Sequence, residues 1–253
     1  MKSMLSGSGE DGGYTVPRAF SAKIIQRVFE TSNIRKYASI ETISTDQLEL
    51  IIDDDEAAAN WVSETGSRGD TGTPKVGKLI IPVNELFAQP KATQRLVDDS
   101  NWDIEAWLVR KVSKKFMRAE NSAFVSGDGA GKPKGFLTYA AGTPTYARDT
   151  IEQVNLGAAN AFTTNGLIAQ QNSLKAEYDQ GAIWGMKRAS FGEVLQVVNT
   201  DNKYMPIVPD LETGTLRLLG KPVEFMDDMP TRAANALATV YGNFEEGYQI
   251  VDH

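Results

Sequence analysis

DDSNWDIEAWLVRKVSKKFMRAENSAFVSGDGAGKPKGFL, residues 98–137, is the stretch on which the reading of the chain turns. Ile104, Trp107, Leu108, Val112, Phe116, Ala119 and Ala123 recur at spacings of three and four, which puts them along one face of a helix over residues 98–126. Asp98, Asp99 and Ser100 supply capping groups and favourable charge at its N-terminus. The other face carries Arg110, Lys111, Lys114, Lys115 and Arg118. Such a helix is about 40 Å long at roughly 1.5 Å per residue, more than a small domain needs internally, so it reads as a spine shared between lobes. Its cationic face fits solvent or an acidic neighbour better than nucleic acid.

The end of the stretch, FVSGDGAGKPKGFL at 124–137, invites a phosphate-binding reading and fails it. A P-loop needs glycines at fixed offsets and a hydroxyl residue after its lysine. Ser126 stands where the first glycine should be, and Pro133 follows Lys132. A P-loop also leaves a strand and opens a helix, whereas this segment follows a helix. It reads as a helix C-terminus followed by glycine turns.

On the N-terminal side, QLELIID at 47–53 and VGKLIIPVNELF at 76–87 are strand-like apolar runs separated by a long polar segment. Loops of that length in compact domains are disordered or functional, and a protruding hairpin arm is the economical solution. Within it lie the acidic run Asp53, Asp54, Asp55 and Glu56, the indole of Trp61, and the tripeptide Arg68, Gly69 and Asp70. The run lacks the alternating oxygens and central glycine of a calcium loop and reads as a solvated acidic edge. The tripeptide matches an integrin-binding sequence, a match that arises easily by chance in a glycine-rich loop. Trp61 sits on an arm too thin to bury it, so it needs either a partner surface, on this subunit or another, or a local satellite cluster. Further back, the first 13 residues hold four glycines and three serines and read as a mobile arm. Pro17 suits a helix start, and Phe20, Ile24, Val28 and Ile34 suit a short amphipathic anchor.

On the C-terminal side, elements alternate after Thr138. Leu167, Ile168, Gln171, Leu174 and Tyr178 share one helical face, GAIWGM is a short buried strand, and ASFGEVLQVV is a helix opened by Ser190. TLRLLG, KPVEFM, ALATVYG and EGYQIVD are strands set off by glycine and proline turns. Tyr204, Pro206 and Pro209 lie in a loop that returns across the surface of this mixed α/β lobe.

Composition narrows the chemistry. At 253 residues, 41% apolar and 23% charged, the chain suits one large or two modest globular domains. No run approaches the length of a membrane span, and the first residues are polar rather than an apolar signal segment. There is no cysteine, hence no disulfide, thiolate metal site or cysteine nucleophile; the one histidine, His253, is terminal and poorly placed as a buried base. Carboxylates, Lys, Tyr and Ser/Thr remain. Glu177 and Asp179 beside Tyr178, and Asp227 with Asp228, have nothing nearby to separate their pKa values and read as surface acids. No catalytic, cofactor or metal residue is assigned, and an enzyme using carboxylate or lysine chemistry in the α/β lobe is the contrasting class. A net charge of −7 is the wrong sign for tight nucleic-acid binding.

GGYTVPRAF, AANWVSE at 58–64, LIIPVNELF, the long helix running into FVSGDGAGKPKGFL, IWGMKRAS, DNKYMPIVPDL, LLGKPVEFMDDMP and VYGNF follow one another over nearly the whole chain. In that order and spacing the sequence resembles the major capsid proteins of tailed bacteriophages with the HK97 fold. The resemblance implies an α+β capsid fold with an N-terminal arm at 1–33 and P-domain strands at 34–97. These carry an extended β-hairpin, the E-loop, at about 46–83. A P-domain spine helix and turn follow at 98–137, and a mixed α/β A-domain at 138–253. Relatives usually continue into strands that complete the P-domain, so these are expected to be missing here. It also implies inter-subunit contacts through Trp61, Glu64, Arg68, Lys75 and Lys78 of the hairpin and Arg110, Lys114 and Arg118 of the spine. Some relatives cross-link a hairpin lysine to an asparagine near the C-terminus; Lys75 and Lys78 lie in the right arm, but the asparagine's region is absent, so no cross-link is expected.

The implied function is self-assembly, as pentamers and hexamers, into an icosahedral shell enclosing double-stranded DNA. Implied partners are further copies, portal and scaffolding or protease proteins, and packaged DNA through weak non-specific contact, with no membrane. The implied place is the virion capsid, assembled in the bacterial host cytoplasm. The same fold builds gene transfer agent particles and encapsulin-like nanocompartments; the phage-type arm sets the nanocompartment second. In this family the glycines of SGDG and PKG serve backbone geometry.

Overall fold

The computed structural model describes residues 33–53, 60–62, 76–91, 103–145, 147–159, 161–197, 207–209 and 216–253. The expected arm with Pro17, Phe20, Ile24 and Val28, the helix caps Asp98, Asp99 and Ser100, the tripeptide at 68–70, and Tyr204 and Pro206 lie outside the described residues.

A 3₁₀ turn, Ile34–Lys36, leads into β1 (Ser39–Thr42). Next come β2 (Gln47–Asp53) and β3 (Val76–Pro82), the long helix α1 (Ile104–Ser126), and the short strands β4 (Ala140–Gly142) and β5 (Thr150–Glu152). The remaining elements are α2 (Thr164–Ser173), α3 (Ala176–Asp179), β6 (Ile183–Met186), α4 (Arg188–Val194), β7 (Ile207–Pro209), β8 (Leu216–Leu218), β9 (Lys221–Phe225), β10 (Thr239–Gly242), α5 (Phe244–Gly247) and β11 (Gln249–Asp252). The lobe is built on a sheet of order β10-β6-β9-β8-β7, in which β6 and β9 run parallel and the other neighbours antiparallel. Away from it, β2 and β3 form an antiparallel ribbon, and β1 pairs in parallel with β11.

β6 divides two cores. Side chains alternate across a strand, so Trp184 and Met186 enter the lobe core with Phe162, Leu167, Phe191, Val194, Leu218 and Val223. Ile183 faces the opposite way, into a second core with Ile34, Phe124, Val125, Phe136, Met226, Met229, Phe244 and Ile250. Gly185 shares the side of Ile183, where a Cβ would lie 2.7 Å from Val240 Cγ1 and 2.8 Å from Met226 Sδ. Burial on both faces explains why IWGM reads as a continuous apolar run.

On α1 the expected apolar face is the buried one: Ile104 is buried and Trp107, Leu108, Val112, Phe116, Ala119 and Ala123 are half-buried, while Arg110, Lys114 and Lys115 are exposed. The helix starts later than the spacing predicts. Asp103 caps it, its carboxylate accepting from the Ala106 N–H at 2.9 Å, and 23 residues give about 34 Å. Phe124 and Val125 anchor its last turn, whereas Val109 and Met117 midway along it are exposed.

Two local expectations are corrected. The helical face from Leu167 to Tyr178 is broken, because Leu174 and Lys175 are extended between α2 and α3. After that break the Asp179 carboxylate accepts from Lys221 Nζ at 2.7 Å and from the Tyr241 hydroxyl, a tertiary gain that helical continuity would forgo. Ser190 does not open its helix. α4 starts at Arg188, directly off β6, and Ser190 is buried inside it.

The glycine turn closes α1 by laying backbone on backbone. The Gly127 N–H donates to Ala123 O at 2.7 Å, the Gly135 N–H to Gly127 O at 2.8 Å, and the Thr138 hydroxyl is within 2.8 Å of Gly127 O. A Cβ on Gly135 would sit 2.5 Å from Val125 O, and one on Gly127 2.1 Å from Pro133 O. Gly131, at φ +64°, has open space around it. Gly135→Ala therefore forces main chain apart and should cost up to about 3 kcal/mol, whereas Gly131→Ala bears only the left-handed conformation, about 1 kcal/mol. Thermal unfolding followed by circular dichroism orders the two; a smaller loss at Gly135 would contradict the close packing.

Candidate functional site: the assembly surfaces

The projecting ribbon is built by alternation. Gln47, Glu49, Ile51 and Asp53 of β2 share its exposed face with Val76, Lys78, Ile80 and Pro82 of β3. Leu48, Leu50, Ile52, Leu79 and Ile81 form the half-buried face, which carries no polar side chain. Lys78 Nζ and Glu49 Oε2 pair across the strands at 2.6 Å, and Arg148 Nη2 donates to Lys78 O at 2.5 Å, tying the ribbon to the loop before β5. A two-stranded ribbon is marginal in water without a surface to cover it. Here Ile51 is 82% exposed and Val76 74%, and Phe87, just past β3, is 84% exposed. These are the side chains a second protein surface would cover.

Trp61 is fully exposed, so no satellite cluster holds it within the described residues. Glu64, Arg68 and Lys75 lie outside the described residues. On α1, Arg110 Nε donates to Ala106 O at 3.2 Å and Arg118 Nε to Lys114 O at 3.4 Å, so both guanidiniums lie along the helix beside Lys114. The structure thus groups Arg110, Lys114 and Arg118 on one helical face and places Lys78 separately, on the ribbon.

Arg35, Glu120 and Asp252 form a junction that sequence reasoning missed. Arg35 donates from Nη1 and Nη2 to the two oxygens of Asp252 at 2.7 and 2.9 Å, and from Nε to Glu120 at 3.2 Å. Its guanidinium also lies 5.6 Å from the Phe124 ring centroid. Next door, the Tyr37 hydroxyl donates to Glu224 at 2.7 Å. The one local signal was a buried-type residue, Ile34, followed by two cations.

Three titratable groups are shifted by the contacts that hold the fold together. Bonding to Arg35 holds the Asp252 carboxyl below the usual range, against an opposing effect of burial. Bonding to Lys221, and then to Tyr241, does the same for Asp179. Burial, followed by the Asp179 hydrogen bond, pushes the Tyr241 hydroxyl up. Among the described residues no group of three His, Cys, Asp or Glu side chains could hold a metal ion.

A depressed carboxyl stabilises the fold above its unfolded pKa and loses that contribution as pH falls through the folded value. Asp252, with an unfolded pKa of about 3.9, should therefore support stability fully at neutral pH and progressively less below pH ~4. Its side chain is 37% exposed, so Asp252→Asn is expected to cost only on the order of 1 kcal/mol. The variant should also show a shallower fall of the thermal midpoint on acidification, read by calorimetry from pH ~6 to ~3. An unchanged acid slope would dissociate the junction from stability.

The model of the phage capsid family matches residues 12–253. The capsid of a native GTA particle, computed with C5 symmetry, is 35% identical, covering 98% of this chain and 86% of that one at a TM-score of 0.83. The capsid of the empty GTA particle is 35% identical over 98% and 85% of the two chains, at 0.78. A structure from Mycobacterium phage Bobi, 12% identical over 94% of this chain and 77% of that one, shares the fold at 0.52. No curated protein matches the chain. With its α+β, HK97-like fold, the chain belongs to the phage capsid family and is a structural major capsid protein.

Proposed function

We propose that copies of this chain assemble as pentamers and hexamers into an icosahedral shell enclosing double-stranded DNA. The observation that carries this reading is the 35% identity, over 98% of the chain, to a GTA particle capsid computed with five-fold symmetry. The division of labour is assigned by the chain's likeness to phage capsid proteins. Residues 1–33 act as an arm, the hairpin at about 46–83 as the E-loop, residues 98–137 as the spine and its turn, and residues 138–253 as the axial domain. Trp61, Glu64, Arg68, Lys75 and Lys78 of the hairpin and Arg110, Lys114 and Arg118 of the spine meet neighbouring copies. The protein performs no reaction of its own.

Physical chemistry favours a container rather than a genome-binding protein. With a net charge of −7, the shell repels or only weakly contacts packaged DNA, which lets the genome slide during filling and release. Portal and scaffolding or protease proteins complete the particle, which is built in the cytoplasm of the bacterial host.

Sedimentation velocity and negative-stain microscopy of the purified protein should show pentamers, hexamers or closed shells; a strict monomer at all concentrations would overturn the reading. Ile51→Glu tests the ribbon. Losing one covered apolar side chain forfeits about 1.5–3 kcal/mol, so association should weaken at least about ten-fold while the far-ultraviolet spectrum stays that of the parent. Normal shells from Ile51→Glu would remove the ribbon's exposed face from the contact.

A further inference from the structure

We propose that Arg148 is a positioning residue for assembly. It grips the outer edge of β3 and holds the β2–β3 ribbon at one angle to the β4–β5 pair, so that the exposed face of the ribbon is set before a second copy arrives. Only that last clause rests on the assembly reading above; the grip stands on the geometry of one subunit.

The acceptor lies on a free edge. The Val83 N–H donates to Asp46 O at 3.0 Å, and bonded and unbonded pairs alternate along an antiparallel ribbon. Leu48 with Ile81, Leu50 with Leu79 and Ile52 with Gly77 are therefore the bonded pairs, and Lys78, opposite Ile51, turns its main chain outward. Pro82, which has no N–H to give, falls in the same outward-turned set. Among the described residues β2 and β3 pair with no other strand, so the Lys78 carbonyl has no ladder partner. Arg148 Nη2 donates to it across 70 residues of sequence. The Lys78 side chain is engaged separately, with Glu49. The grip thus falls on main chain.

The donor is mounted on a constrained turn. Asp149, next in the chain, has φ +58°, a left-handed conformation that few residues besides glycine, asparagine and aspartate adopt. The Thr150 hydroxyl donates to Ala147 O at 2.7 Å and closes the turn. β5, which begins at Thr150, pairs in parallel with β4, and a Cβ on Gly142 would lie 2.8 Å from Thr150 Oγ1, so the two strands are closely set. A backbone outlier held by its surroundings points to a use of the geometry. Here the residue it aims is Arg148, itself half-buried. A ribbon free to swing offers its face to a neighbour only part of the time, and apparent affinity falls by that fraction. Holding it at one angle removes the loss in advance.

The chain has no cysteine, so spin labels can be placed through Val76→Cys on the ribbon and Asn172→Cys on α2, both exposed positions. Their separation is read by pulsed electron resonance in the full chain below its assembly concentration. One narrow distance distribution is expected. Arg148→Met, which keeps the stem and loses the donor, should broaden it, and Arg148→Lys should restore part of the narrowing. Without the labels, Arg148→Met should raise the concentration needed for assembly about ten-fold, the change expected if the ribbon is in place about a tenth of the time. Asp149→Asn and Asp149→Val lose the same charge, but only valine resists the left-handed backbone, so the valine variant alone should copy Arg148→Met. Thermal melts confirm folding; should Arg148→Met unfold, the two Asp149 variants carry the same expectation. Narrow distributions in Arg148→Met and Asp149→Val overturn the grip. A broadened distribution with unchanged assembly overturns the positioning role. A parent chain that never assembles overturns the reading beneath, while the distances still decide the grip.

Discussion

The fork of Arg35 is the joint on which the arrangement of the subunit depends. One planar guanidinium makes two parallel bonds to Asp252 and a third to Glu120, and lies against Phe124. It thereby fixes the start of β1, the end of β11 and the last turns of α1 relative to one another. β1 and β11 alone are four-residue parallel partners, a pairing that contributes little without support. Ile34, fully buried in the adjoining core, supplies the apolar half of the same joint. A lysine could meet one carboxylate as a point charge but could not span both oxygens of Asp252 and Glu120 together.

The second constraint is that the two cores share a strand. Because Trp184 and Met186 face one core and Ile183 the other, neither core can be loosened without disturbing β6. Gly185 lets Met226 and Val240 approach that strand closely, so the second core packs against bare backbone there. The two cores are thus packed on opposite faces of one strand, and the β2–β3 ribbon pairs apart from the central sheet. A subunit that must fit more than one symmetry environment needs this division between a firm body and outlying contact surfaces.

Much of this was legible in the sequence, because the signals are local and periodic. The three-four spacing from Ile104 to Ala123 found the buried face of α1, and the runs at 47–53 and 76–87 found the ribbon. The glycines of 127–135 read from the sequence as turns after a helix end, and close approaches at Gly127 and Gly135 show the backbone packing they permit. The helix starts at Asp103 and Arg188 were missed by a few residues because several local caps compete, and two other misses come from partners distant in sequence. α2 and α3 break because Asp179 has Lys221 and Tyr241 to meet. Arg35 went unmarked because its partner lies 217 residues away, and no periodicity encodes such a pair.

The exposed apolar side chains say what kind of association this body can make. Ile51, Trp61, Val76 and Phe87 are each more than 70% exposed, and covering all of them would contribute on the order of 10 kcal/mol. Bringing two copies together costs about 4–15 kcal/mol in lost translation and rotation alone. A single such contact therefore barely holds a pair. Once two copies are joined, a third that bridges them meets both at high effective concentration, and its second contact carries little of that entropic cost. Assembly driven by thin projecting surfaces is thus cooperative by necessity: isolated pairs are poor, closed rings are good, and a subunit without neighbours leaves its ribbon uncovered.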